Sequence, residues 1–218
     1  MPVRGGSRAA MAGAAVLLVA AAPAAPPSFE SVFASRGEPA QLHYRVLYRT
    51  ATGVHRLEVW RDRDRLVKRV TDDGVATLVR HAPGGPDFTM QIADPRRRTS
   101  TRVDRTSLYR VGNFTDWFDL GHGLRHPRAA YQLRPRAPLH AMPRTPAPCR
   151  WYDLREAGHT ASVCWDAADH LPLLIATGPG RPVWRVLAID RGPIAAATFR
   201  LADRGYIHDD ATRDISGD

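Results

Sequence analysis

The sequence predicts a mainly β fold, an antiparallel meander with a few short helices lying across its concave side. Three observations carry this. Six runs between residues 41 and 103 alternate apolar and polar side chains, the period-2 signature of half-buried strands. The connections between them are a few residues long and rich in Asp, Gly and Pro, too short for the crossover that a parallel pair needs. After Asp104 the period changes, and apolar residues recur at spacings of three and four, as on a helix.

The first run, QLHYRVLYR from Gln41, puts Leu42, Tyr44, Val46 and Tyr48 on one face. A TATG turn leads to VHRLEVWR, in which His55, Leu57 and Val59 oppose Arg56, Glu58 and Trp60. RLVKRVT is followed by Asp73-Gly74, and Asp-Gly between alternating runs is a strong hairpin signal. VATLVRH, a PGGPD turn and FTMQIAD continue the pattern, and Asp94-Pro95 breaks it before RRTSTRV.

Leu108, Val111, Phe114, Trp117, Phe118 and Leu120 make the helical stripe. One or two short helices are expected, capped by Thr106 or Ser107 and by Thr115, with the stripe on the concave face of the meander. Residues 125–148, rich in Pro and Arg, read as an excursion with little regular structure. Strands resume with CRWYDLR, ASVCW, LPLLIAT, VWRVLAID and AAATFRL, and a polar tail follows.

Cys149 and Cys164 are the only cysteines. In a hairpin turning near Glu156-Ala157-Gly158, opposed residues have numbers summing to 313, 314 or 315, so the two thiols face each other or are slightly out of step. Facing positions bring Cα atoms within disulfide range. A structural disulfide is expected, because Cys-x14-Cys is not the close spacing of a redox motif.

That pairing suits the N-terminus. Arg4 and Arg8 precede an apolar run of Ala9 to Ala22 and an Ala-Pro-Ala site, the pattern of a secretory signal peptide over residues 1–24. The run is shorter than the roughly 20 residues that span a bilayer, and no cysteine follows it for lipid attachment. A Sec-type export to the periplasm as a soluble protein is expected. Residues 25–40 form a Pro/Ala-rich leader with one apolar cluster, FESVF, and residues 41–218 form a single domain with its helical and loop excursion at 104–148. Losing Arg4 and Arg8 takes the formal charge from +9 to +7. Lys68 is the single lysine among 31 basic residues, a bias of base composition rather than a choice of arginine for phosphate. The basic surface is either simply solvated or touches an anionic membrane transiently. Nucleic acid is not expected as a partner.

With an exported N-terminus, the segments RLEVWRDRDRLVKRV, TDDGVATLVRH and IADPRRRTSTRV, then the Cys…Cys hairpin, HLPLLIAT and VWRVLAID, the chain resembles the LolA/LolB-type superfamily of bacterial envelope proteins. That superfamily includes the N-terminal domain of the sigma-factor regulator RseB/MucB. The resemblance spans about residues 41–201. It implies an open, incompletely closed antiparallel β-barrel with a helical lid, and a cavity for the acyl chains of lipids or lipoproteins.

Motifs for chemistry are sparse. His122 and His126 stand at i, i+4, but no Glu follows the first as in H-E-x-x-H, and Gly123 and Pro127 suggest a helix end. The tail's His208, Asp209, Asp210 and Asp214 lack the glycine and spacing of a calcium loop and read as a solvated or helix-capping segment. No G-x-S-x-G is present. No catalytic residue, metal or cofactor is assigned. Tyr44, Trp60, Phe88, Phe114, Trp117 and Phe118 are the candidate ligand-binding residues, either lining an apolar cavity or filling a core. Trp151 and Trp165 are expected to pack the disulfide. The leading expectation is a non-enzymatic protein holding a hydrophobic ligand. The alternatives are an envelope interaction or sensor module that docks a protein partner, and an unrecognised hydrolase.

Overall fold

The six alternating runs fold as six consecutive hairpin-linked strands, each within two residues of its expected limits. The computed structural model describes Met1 and residues 26–34, 36–82, 84–113, 115–178 and 182–216; the signal peptide expected over residues 1–24 therefore lies, Met1 aside, outside the described residues, as does Phe114. A one-turn helix α1 (Phe29–Val32) precedes β1 (Gln41–Thr50), β2 (Gly53–Asp62), β3 (Leu66–Thr71), β4 (Ala76–His81), β5 (Phe88–Asp94) and β6 (Thr99–Asp104). Two short helices follow, α2 (Arg105–Arg110) and α3 (Trp117–His122). Then come β7 (Tyr131–Arg136), β8 (Arg150–Glu156), β9 (His159–Asp166), β10 (Leu171–Ala176), β11 (Trp184–Asp190), β12 (Ile207–Asp210) and α4 (Ala211–Ser216).

All twelve strands belong to one open sheet, in the order β12-β6-β5-β4-β3-β2-β1-β11-β10-β9-β8-β7. The sheet is strongly curled. Trp117 of α3 stacks on His81 of β4 at 4.7 Å, while the adjacent Phe118 lies 6.4 Å from Trp165 of β9. Those strands are six steps apart, roughly 29 Å along a flat sheet, more than two neighbouring side chains can bridge. The main core fills the concave side, with Leu42, Tyr44 and Val46 of β1, Val59 of β2, and Val163 and Trp165 of β9.

Several expectations are corrected. The helices are capped by Asp104 and Asp116, whose side chains accept from the Ser107 and Asp119 amides, rather than by Thr106 or Ser107 and by Thr115. An ionised carboxylate is the stronger acceptor for these orphan N–H groups. The 125–148 excursion contains β7, an edge strand paired only with β8, where Pro135 is tolerated because one side needs no donor. AAATFRL is not a strand; Ala196–Phe199 form a 3-10 turn held on the outer face, where Lys68 Nζ donates to the Thr198 and Arg200 carbonyls at 2.8 and 2.9 Å. The polar tail supplies β12, which pairs with β6 in parallel, an exception to the antiparallel expectation made possible by the long return of chain between them. Asp210 then caps α4 through the Thr212 amide.

Cys149 and Cys164 are joined, with Cα atoms 5.4 Å apart. The β8–β9 register pairs Trp151 with Cys164, a sum of 315, so the cysteines are two positions out of step. They join Trp151, Leu174, Leu139 and Met142 in a small second core, with Cys149 also touching the main one. Residues 137–148 thus act as a cover for the outer face of β8–β10, while Trp165 belongs to the main core.

Candidate ligand-binding site

The concave face is arranged in cross-strand rows. One row runs Leu42, Arg61, Val67, Val79, Met90, Val103 and is buried throughout. Its cover is α1 and α3. Phe29 and Phe33 of the leader are 0% and 1% exposed, and their rings meet at 4.9 Å. Phe29 reaches Phe118 at 5.6 Å, and Phe33 reaches Trp165 at 5.1 Å and Tyr152 at 5.8 Å, all near edge-to-face, a favoured aromatic geometry. The residues read as a leader therefore complete the core.

Beneath α3 lies a polar cluster. Arg61, 2% exposed, points from β2 toward the helix, with Nη1 3.5 Å from the Gly121 carbonyl and Nη2 donating to the Asp169 carbonyl at 3.0 Å. Glu38 approaches Arg61 at 3.5 Å and His122 Nε2 at 2.7 Å, and His122 Nδ1 lies 2.8 Å from the Phe118 carbonyl. The Tyr44 hydroxyl donates to the Gly121 carbonyl at 2.8 Å. Burial pushes the Tyr44 phenol up to about 12, so it stays a neutral donor. Burial also pushes His122 down, outweighing the Glu38 hydrogen bond. For Glu38 burial acts upward, but the His122 hydrogen bond and the charges around it, Arg61 among them, hold the carboxyl below its ordinary range. These contacts fasten α3 to the sheet through hydrogen bonds to its backbone, so the lid is seated by polar contacts on top of apolar packing.

Of the candidate residues, Tyr44, Phe88 and Phe118 belong to this core. Trp117 is half-buried at the edge, on His81. Trp60 is not part of the site: it faces the outer side, stacked on His43 at 4.9 Å with its planes 1° apart and near Lys68. The β2 alternation, which sets Trp60 with Arg56 and Glu58, already carries that information. Sequence reasoning missed Phe29, Phe33, Glu38 and Arg61. The FESVF cluster was the one available signal; an arginine at an inward position of β2 was the other.

His122 and His126 do not converge. Gly123 ends α3 in the left-handed region, at φ +70°, and His126 turns back to Asp116 at 2.9 Å and Asp119 at 3.7 Å. Ligand-capable atoms of Asp116, Asp119 and His126 lie within 4.8 Å of one another. They already serve the cap, since Asp116 accepts from the Asp119 amide and Asp119 from the His126 amide. Hydrogen bonds to Asp116, then Asp119, raise the His126 ring to about 9, so an imidazolium sits where a cation would. The most triad-like group is Thr50, Thr52, His55 and Asp72, with hydroxyl–imidazole distances of 3.1 and 3.2 Å and Asp72 at 3.5 Å. It lies where the β1–β2 hairpin meets the β3–β4 turn at the exposed end of the sheet, beside water rather than in the sheltered site that acyl transfer uses.

No protein-family model matches the chain, and no curated protein sequence matches it at a significant level.

Proposed function

We propose that the protein is a non-enzymatic binding protein of the exported envelope, holding a hydrophobic ligand, a lipid or the acyl part of a lipoprotein, against the concave face of its sheet. One observation carries the reading: the largely apolar concave face of a curled sheet is closed by helices of four and six residues rather than by a second sheet. Helices this short have little stability of their own, and beside the polar contacts of α3 their hold rests on aromatic side chains of the kind that an acyl chain can replace. The resemblance to LolA/LolB-type proteins belongs to the same reading. The Cys149–Cys164 bond is compatible with an oxidising compartment, and no helix among the described residues is long and apolar enough to cross a membrane.

Native mass spectrometry of the protein, purified from an envelope fraction without detergent, tests this. The expected result is an added mass that organic extraction removes and that is identified as a phospholipid or acyl species, retained less well by Trp117→Ala at unchanged far-UV dichroism. A protein that is free of added mass, and stays so after incubation with envelope lipids, overturns the reading and favours docking of a protein partner.

A further inference from the structure

We infer that the ligand is an anionic amphiphile whose carboxylate or phosphate head is held by Arg69, with its tail running under the lid. This rests on the hydrophobic-ligand reading and adds the chemistry of the head group. The observation is an arginine on the wrong side of a strand. Arg69 is paired in register with Val59 and Thr77 and lies between Val67 and Thr71 on β3, so it projects from the concave face toward the core rather than to the outer surface with Lys68.

Its row runs Tyr44, Val59, Arg69, Thr77, Ile92, Thr101. Tyr44 and Val59 are buried, whereas the four residues from Arg69 onward are half-buried. The neighbouring row through Arg61 is buried from end to end. Arg69 thus stands at the boundary between the fully buried interior and the half-buried part of the same face.

The guanidinium is uncompensated. Arg61 has Glu38, and Arg191 has both oxygens of Asp169. Around Arg69 the interacting groups are the phenols of Tyr44 and Tyr48, neutral at physiological pH, and its pKa is lowered by desolvation. Among the described residues no carboxylate, carbonyl or hydroxyl hydrogen-bonds to it. The side chain is hemmed in by protein yet keeps part of its surface open to water. A deep, wet, unpaired cation costs folding free energy, and an anion beside it relieves that cost.

Beyond Arg69 the same face turns polar. Thr71, one row farther out, and Tyr48, two rows out, border a cleft of about 630 Å³ with Asp72, Asp73 and Arg96. The two carboxylates at this rim are engaged. Asp72 accepts from the Arg56 amide and lies 3.5 Å from His55; Asp73 accepts from the Thr71 hydroxyl and the Val75 amide. Arg96 offsets their charge. A head group therefore passes a nearly neutral rim and finds one unpaired cation, while apolar side chains lie inward of it.

Calorimetric titration of the protein with oleate, with 1-oleoyl-lysophosphatidate and with oleyl alcohol, each below its micelle concentration, tests the inference. Oleate or the lysophosphatidate should bind at least tenfold more tightly than the uncharged alcohol, and the better of the two names the head group. Arg69→Met should abolish that preference, Arg69→Lys should keep part of it, and Arg69→Met should melt no lower than the parent, because an unpaired charge has been removed. Equal binding of all three amphiphiles, or a preference that survives Arg69→Met, overturns the inference and leaves the hydrophobic-ligand reading standing. Failure of all three to bind overturns both. A melting temperature that falls in Arg69→Met assigns the arginine to structure and overturns its ligand role.

Discussion

Glu38 is the carboxylate that neutralises the buried side of the lid. It is in reach of a nearly inaccessible guanidinium and of a buried imidazole, and among the described residues Arg61 forms no other ion pair. A carboxyl whose folded pKa is depressed contributes stability above its unfolded value, near 4.5, and that contribution is lost as pH falls through the folded value. Glu38→Gln should therefore destabilise the protein by about 3 kcal/mol at pH 7, the usual cost of removing one partner of a buried pair. The difference should shrink as pH falls below 4.5 and the parent's own carboxyl takes up its proton. Urea unfolding at pH 7 and pH 3.5 checks both statements; a difference that is the same at both values would assign the loss to shape rather than charge. Such a residue is hard to see in sequence. Gly37-Glu38-Pro39 has the composition of a spacer, and the partner of Glu38 is 84 positions away. His122 did attract attention, but for a spacing to His126 that the turn at Gly123 undoes.

At the level of elements, legibility follows locality. The strands β1 to β6 were readable to within two residues because alternation and turn chemistry are local properties. The cysteine hairpin was readable for the same reason. β7 was hidden, since Pro135 between Arg134 and Arg136 reads as a strand breaker, and only an edge strand accommodates it. β12 was hidden as well, because Ile207–Asp210 has no alternation and gains its strand conformation from β6 alone. The end of α3 was announced by Gly123, and the structure gives the reason a glycine is needed. A Cβ there would fall within 3 Å of three carbons of the Trp184 indole, which is itself fixed by its Nε1 donating to the Pro172 carbonyl at 2.9 Å. The left-handed backbone adds strain for any L side chain. Gly123→Ala should cost about 3 kcal/mol, read as a fall in the urea midpoint with an unchanged m-value. A loss below about 0.5 kcal/mol would mean that α3 lifts away from Trp184 without penalty.

The whole molecule is one curled sheet that cannot close on itself and completes its interior with pieces of chain from both sides of the meander. The resemblance in sequence pattern pointed to a lid drawn from residues 104–122. It did not point to the leader, whose two phenylalanines are fully buried, because two aromatics within a Pro/Ala-rich segment have no period to betray a helix and α1 is a single turn. If residues 26–34 were a passive spacer, shortening a side chain there would change stability by less than about 0.5 kcal/mol. The packing argues otherwise. Phe33 meets Phe29, Tyr152 and Trp165, and the Phe29 amide donates to the Tyr131 hydroxyl at 2.9 Å, so the segment joins α3 and β7 to β9. Phe33→Ala should therefore cost about 3 to 4 kcal/mol, as for other buried phenylalanines, and should shift the Trp165 emission to the red as water reaches the space left behind. A bound acyl chain long enough to fill that space should restore part of the lost stability in the variant and more of it than in the parent. Equal stabilisation of the two proteins would place the ligand elsewhere than beside Phe33.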